Sequence, residues 1–364
     1  MADSYLWNRV QSFFRKELLH LTTIHASDRR WQMPLAASLA SGLPLLVGAY
    51  FGRMDYGLIS SLGGLVFLYL SETSLSHRMV SLMTCAFGMI TSYFLGVLSH
   101  LMPPLMTPML TFTAILVTMV CRFYNITPPG SFFFIMVAAI GAVAPSNVMD
   151  VPLKVGLFAM GCMLSCMIAF LYSLYMLRLK QPRPVSPLPH PTFDFVIFDS
   201  IVIGVLVGIS LALAQLLNLP QPYWVPVTCA AVIQGVSMRA VWNKQLQRVV
   251  GTAMGLLLAW GLLSTPLNNW QISLVIMGLT FLVETFVVRH YALAAVFITP
   301  MSILLVEVAT LGHASPAILI RARFFDTILG CLIGLVGGVC LHSTRFRNFV
   351  GLKIRRFLPW ALPD

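Results

Sequence analysis

"LQRVVGTAMGLLLAW", residues 246–260, sets Arg248 at the lip of an apolar run, with Gly251-Thr252 and then Gly255 behind it. "RARFFDTILGCLIGLVGG", residues 321–338, repeats the spacing with Arg323, Asp326-Thr327 and Gly330. Both read R-x-x-[GD]-T-x-x-G. An unbroken apolar run behind a fixed charge suggests a helix start at a membrane boundary. Gly251 with Gly255, and Gly330 with Gly334, form G-x-x-x-G spacings, which let two helix backbones approach closely.

The rest of the chain has the same character. Of 364 residues, 58% are hydrophobic and 10% charged, against about 25% charged in a soluble domain. Twelve apolar runs are candidates for membrane spans. They lie at roughly 33–51, 55–70, 79–99, 104–121, 129–145, 152–177, 195–217, 222–238, 246–264, 269–288, 290–309 and 316–341. A transmembrane barrel would alternate apolar and polar residues; these runs are continuous, so the fold expected is all-α and polytopic.

With the N-terminus inside, all of the 23 lysines and arginines except Arg53, Lys154, Arg321 and Arg323 fall on the inner side. That asymmetry predicts a multi-pass protein of the cell inner membrane with both termini cytoplasmic. The net charge of +11 is then accounted for by topology and by anionic lipids as partners, and no nucleic acid is needed. The first 26 residues are charged throughout and do not read as a cleaved signal peptide. The seven cysteines stand in or beside apolar runs with no ligand spacing. They read as small packing residues, and no metal or cofactor is expected.

"RLKQPRPVSPLPHPTF", residues 178–193, breaks the pattern with five prolines and reads as a stiff linker. It divides the chain into an amphipathic N-terminal helix (1–30), a first six-helix membrane repeat (31–177), the linker, a second six-helix repeat carrying the motif (194–342) and a basic tail (343–364). An even number of spans returns each half to the same side, so the halves are parallel copies. "FGRMDYGLISSLGGLVF" precedes Arg78 much as "LPQPYWVPVTCAAVIQG" precedes Arg248. Within the second half the two motif copies point in opposite directions, as in an inverted three-plus-three repeat. Such repeats are frequent in transporters, with sites near the midplane, and they also arise by duplication without that use.

Polar residues inside the runs are the candidates for chemistry. Arg248 reads as a substrate ligand or as a side chain snorkelling to headgroups. Ser315-Pro316 predicts the start of the last span, which puts Arg321, Arg323 and Asp326 one to three turns into it, where charge usually faces the bundle interior. Arg323 and Asp326, spaced i,i+3, read either as an ion pair or as an anion ligand beside a proton carrier. An arginine suits a carboxylate because its donors form a bidentate fork. Glu284 reads as a proton site or as a partner for an arginine of the last span. Thr252 and Thr327 suit a bond to their own helix or to substrate. Tyr223 and Trp224 suit the pathway or an interfacial belt.

"PYWVPVTCAAVIQG" followed by "LQRVVGTAMGLLLAW" resembles the fusaric-acid-resistance family of inner-membrane transporters, over about 222–260 and more loosely to 341. The family includes aromatic carboxylic acid exporters and is related to plant aluminium-activated malate channels. Residues 33–177 match as a degraded copy: "DYGLISS" stands for the aromatic-proline helix, and "HRMVSLMTCAFG" keeps the arginine without the glycine-threonine. The resemblance implies export of small organic acids, in some members with a periplasmic adaptor protein, and a homo-oligomer is compatible with it. Tyr223, Trp224, Thr228, Arg248, Gly251, Thr252 and Gly255 occupy its motif positions. No G-x-x-x-x-G-K-[ST] is present, so ATP is not the expected energy source. A passive organic-anion channel and a non-transporting membrane scaffold are the alternatives. An enzyme is not expected, since neither H-E-x-x-H nor G-x-S-x-G occurs.

Overall fold

Each of the twelve apolar runs folds as a helix. In chain order these are α1 (Gln32–Tyr50), α2 (Met54–Gly63), α3 (Leu75–His100), α4 (Met106–Phe123), α5 (Phe132–Val143) and α6 (Asp150–Leu177), then α7 (Asp199–Leu216), α8 (Trp224–Ile233), α9 (Met238–Leu263), α10 (Asn269–Phe286), α11 (Tyr291–Ala309) and α12 (Pro316–His342). A further helix, α13 (Thr344–Phe357), covers the start of the basic tail. The structure, a computed structural model, describes residues 26, 29–126, 128–179, 181–185, 192–235, 237–309 and 316–357, with side chains outside 194, 306–309, 316 and 351–357. The amphipathic N-terminal stretch at 4–21 lies outside the described residues, as does Ser315. Among the described residues there is no strand.

Twelve spans were expected, those at 55–70 and 129–145 short; among the described residues eight helices have the length and composition to cross a membrane. These are α1, α3, α4, α6, α7, α9, α10 and α12. Three are shorter, α2 with its 3-10 extension to Tyr69, α5 and α8; α11 runs 19 residues, Tyr291–Ala309, with its side chains described to Leu305. With α11 they are the second and fifth helix of each set of six. Glycine and proline bound or interrupt these four. α2 tightens into a 3-10 turn at Gly64, Pro128-Pro129-Gly130 precedes α5, Pro222 and Gly235 bracket α8, and Pro300 lies within α11. Short helices are sheltered by long ones. Every residue of α8 from Val225 to Ile233 is buried, as expected of a helix apolar on all sides.

Strong neighbours within the first six helices are α3 with α5 and α2 with α6; within the second six they are α9 with α11 and α8 with α12. Across the two sets, α4 packs on α7 and α1 on α10. One apolar cluster joins α1, α2, α3, α5 and α6. A second joins α4 and α5 to α7 and α8, and a third joins α1 and α2 to α10 and α11. Tyr93 of α3 and Phe158 of α6 stack at 4.6 Å between ring centroids. The two sets therefore share a core instead of meeting at a flat interface.

α9 begins earlier than its apolar run suggests. Ser237 caps it by accepting from Ala240 N at 3.2 Å, so Arg248 lies well inside the helix and not at its start. The added turns carry Asn243, Lys244 and Gln247, which face a cavity and not lipid. Hydropathy does not register such a stretch.

Candidate functional site

A cavity of about 1620 Å³ takes residues from the second and fifth helices of both sets, α2, α5, α8 and α11. Leu58, Ile59 and Leu62 come from α2, Phe133, Met136 and Ile140 from α5, Trp224, Val227 and Ala231 from α8, and Tyr291, Ile298 and Met301 from α11. Its wall also holds six cations, Arg29, Arg53, Arg122, Lys154, Lys244 and Arg248, against the carboxylates Asp55, Asp150 and Glu284. Cations outnumber anions, so the wall favours an anionic occupant.

Arg248 is 3% exposed and does not reach out to headgroups. Its Nη1 donates to Tyr291 Oη at 2.9 Å and its Nη2 to Thr228 Oγ1 at 3.4 Å. Nε has no partner. Lys244, one turn earlier, stands 5.4 Å over the Tyr291 ring. Tyr223 and Trp224, with ring centroids 5.1 Å apart, both line the cavity. Of the candidate residues, Tyr223, Trp224 and Arg248 line the cavity, and Thr228 stands behind them, bonded to Arg248 and packed against Gly330.

The motif glycines bring α9 onto α11 and α12 onto α8. A Cβ on Gly251 would stand 2.5 Å from Ala292 O, and one on Gly255 2.6 Å from Val296 O, both on α11. A Cβ on Gly330 would stand 2.6 Å from Thr228 Cβ and 2.7 Å from Val225 O; one on Gly334 would be 3.0 Å from Val232 Cβ, all on α8. Real side chains do not tolerate such approaches. Thr252 is buried beside these contacts, and Thr327 donates to its own helix at Arg323 O, 2.8 Å away.

The second motif copy is placed differently. Arg323 is 2% exposed, and its guanidinium carbon lies 3.7 Å from the Trp224 ring centroid. Together with Asp326 it borders a separate small cavity and is absent from the large one. The i,i+3 spacing suggests an ion pair, yet neither carboxylate oxygen of Asp326 has a hydrogen-bond partner, nor do Nε and Nη1 of Arg323. Arg321 lies on the exposed face of α12, away from both cavities.

Glu284 pairs with Arg29 at 3.4 Å, not with an arginine of α12. Asp199 carries more than its sequence position suggests. It accepts from Arg122 of α4 at 2.7 Å and from Arg347 of α13 at 2.6 Å, tying the tail helix to the bundle at the cavity's edge. Lys154 also lines the wall, held by Pro145 O and by Ser146 Oγ at 2.7 Å. Asp199, Arg122 and Lys154 escape a reading by spacing because their partners lie on other elements.

Residues 202–337 match the family model described as fusaric acid resistance protein-like. The uncharacterized membrane protein YvaC of Bacillus subtilis (strain 168) is 21% identical, over 87% of this chain and 74% of that protein. The uncharacterized protein YhfK of Escherichia coli (strain K12) is 29% identical over 38% of this chain and 19% of its own length. No solved structure matches. The matched span runs from α7 through most of α12 and contains both motif copies, so it is the second six helices of this multi-pass membrane protein that are similar to the fusaric acid resistance protein-like family.

Proposed function

We propose that the chain exports small organic anions, aromatic carboxylates foremost, across the cell inner membrane, with both termini in the cytoplasm. The observation that carries this reading is the cavity of about 1620 Å³, lined by α2, α5, α8 and α11, with the Arg248 guanidinium on its wall. Pockets for drug-sized ligands are typically about 300–1,000 Å³, so an aromatic acid has ample room. Arg248 is the anion ligand, offering a forked cation, and Tyr223, Trp224 and Tyr291 offer ring faces to an aromatic substrate. Lys244, Arg53 and Lys154, which line the same cavity, add to its attraction for anions.

In this reading the twelve helices are two parallel six-helix repeats joined by residues 178–193, each an inverted pair of three-helix units. The neighbour pattern supports it: α3 on α5 recurs as α9 on α11, α2 on α6 as α8 on α12, and α4 on α7 as α10 on α1. Short or interrupted helices at matching places in both halves are where repeat-built transporters place substrate. Anionic headgroups hold the basic tail helix at the inner surface.

The test is counterflow of labelled benzoate, with a panel of aliphatic and aromatic acids as competitors, in proteoliposomes holding the purified protein. Wild type is expected to accumulate label, and Arg248→Gln to lose the accumulation while eluting as the same monodisperse peak. Equal accumulation by Arg248→Gln and wild type would sink the role of Arg248. No accumulation of any acid by wild type would sink transport itself.

A further inference from the structure

Asp326 is 0% exposed, and both its carboxylate oxygens lack a hydrogen-bond partner. An ionised carboxylate in that setting, with no bond to replace its lost water, is strongly disfavoured against the neutral acid. Buried groups without partners are rare in folded proteins and call for an explanation. The cavity that Asp326 borders has a volume of about 10 Å³, close to the smallest space that admits one water. A substrate does not fit there. A proton, delivered by water, does.

The surroundings connect this carboxyl to the large cavity. Gln221, Trp224 and Ser302 line both cavities and form the partition between them. Arg323, one turn before Asp326 on the same face of α12, rests on the Trp224 ring. Arginine keeps its proton, so a change of charge at this pair falls on the carboxyl. Residues three apart on a helix are neighbours, so Arg323 reaches either the Trp224 ring or Asp326 by side-chain rotation alone.

We propose that Asp326 is a proton-binding site that couples proton movement to the substrate cavity through Arg323 and Trp224. This rests on the transport reading above. With its proton on, Asp326 is neutral and Arg323 stays on Trp224, the arrangement observed. When the proton leaves to water in the small cavity, the carboxylate draws Arg323 off the ring, and the wall at Trp224 changes on its substrate side.

The other titratable or charged groups in electrostatic reach of the pair are few. They are Tyr223 ahead of α8, Arg248 of α9, Tyr291 at the start of α11, and Cys331 of α12. Among the described residues in this set Asp326 is the one carboxylate, so a proton exchanged here exchanges at Asp326.

Two measurements test this. The first is intrinsic tryptophan fluorescence of the full protein in detergent as a function of pH, without substrate. Wild type should show a pH-dependent component that Asp326→Asn and Trp224→Phe both lack and Asp326→Glu restores. The second is benzoate flux in proteoliposomes with and without an imposed pH gradient. Asp326→Asn should keep benzoate exchange yet lose the gradient's acceleration entirely. Survival of the fluorescence component in Asp326→Asn, or gradient acceleration equal to wild type, overturns the proposal. If wild type moves no acid, the transport reading has failed, and the fluorescence comparison alone decides whether Asp326 binds the proton.

Discussion

Arg248 on α9 and Arg323 on α12 head two copies of one motif, yet only Arg248 stands on the wall of the large cavity. The difference traces to the fourth position of the motif. In the first copy this is Gly251, pressed so closely on Ala292 O that a Cβ has no room. In the second it is Asp326, whose carboxyl instead borders a small polar cavity beside Trp224. The later glycines, Gly255 and Gly330, do the same work in both copies, each seating its helix on the backbone of a neighbour, α11 or α8. The shared part of the motif is thus a packing device. The variable part decides whether the helix crossing is closed or carries a polar pocket.

The largest expected effect follows from the shared part. Gly255→Leu and Gly330→Leu each drive a side chain into backbone at 2.6 or 2.7 Å. Overpacking in a well-packed core typically costs about 1–3 kcal/mol, and here the obstacle is main chain, which yields least. Both variants should lower yield and the melting temperature in detergent. Gly261→Leu, on the same α9 with no atom within 4 Å of its would-be Cβ, should behave as wild type. Equal melting temperatures for all three would remove the packing role from the motif.

The next effect separates the two arginines. Arg248→Gln should abolish benzoate exchange, whereas Arg323→Gln should retain it and lose only its dependence on a pH gradient. Loss of exchange in both variants to the same degree would put both arginines on one anion path and erase the contrast. Stability sharpens the point. Arg323→Leu alone leaves Asp326 without its cation, while Arg323→Leu with Asp326→Leu removes both charges. Replacing a buried charged pair by apolar residues is often neutral or stabilising by about 1–4 kcal/mol, so the double variant should melt above the single one.

Much of this was legible in the residues. Continuous apolar runs located all twelve helices, and the repeated arginine-glycine spacing marked the two helices that seat on α11 and α8. What escaped did so for physical reasons. The first turns of α9 are polar because they face a cavity, so hydropathy started that helix late. Asp199 joins Arg122 and Arg347, which lie 77 and 148 residues away, and Glu284 joins Arg29 across 255 residues. No local spacing encodes such pairs. Conversely, the i,i+3 spacing of Arg323 and Asp326 suggests a contact, while in the structure the guanidinium lies over the Trp224 ring.

The smallest expected effect belongs to Arg321, two residues before Arg323 and on the same helix. At 3.6 residues per turn, two residues are about 200° apart around an α-helix, so the two guanidiniums leave α12 on nearly opposite sides. Arg323 turns inward onto Trp224, and Arg321 is exposed and borders neither cavity. A cation so placed near a helix end settles among headgroups, where its contribution is small and screened by salt. Arg321→Gln should therefore leave benzoate exchange, gradient dependence and melting temperature at wild-type values. The check is to run the three measurements beside Arg323→Gln at one ionic strength. A loss of exchange in Arg321→Gln that matches Arg248→Gln would mean that the exposed face of α12 borders the pathway. The contrast between the two motif copies would then have to be redrawn around Arg321.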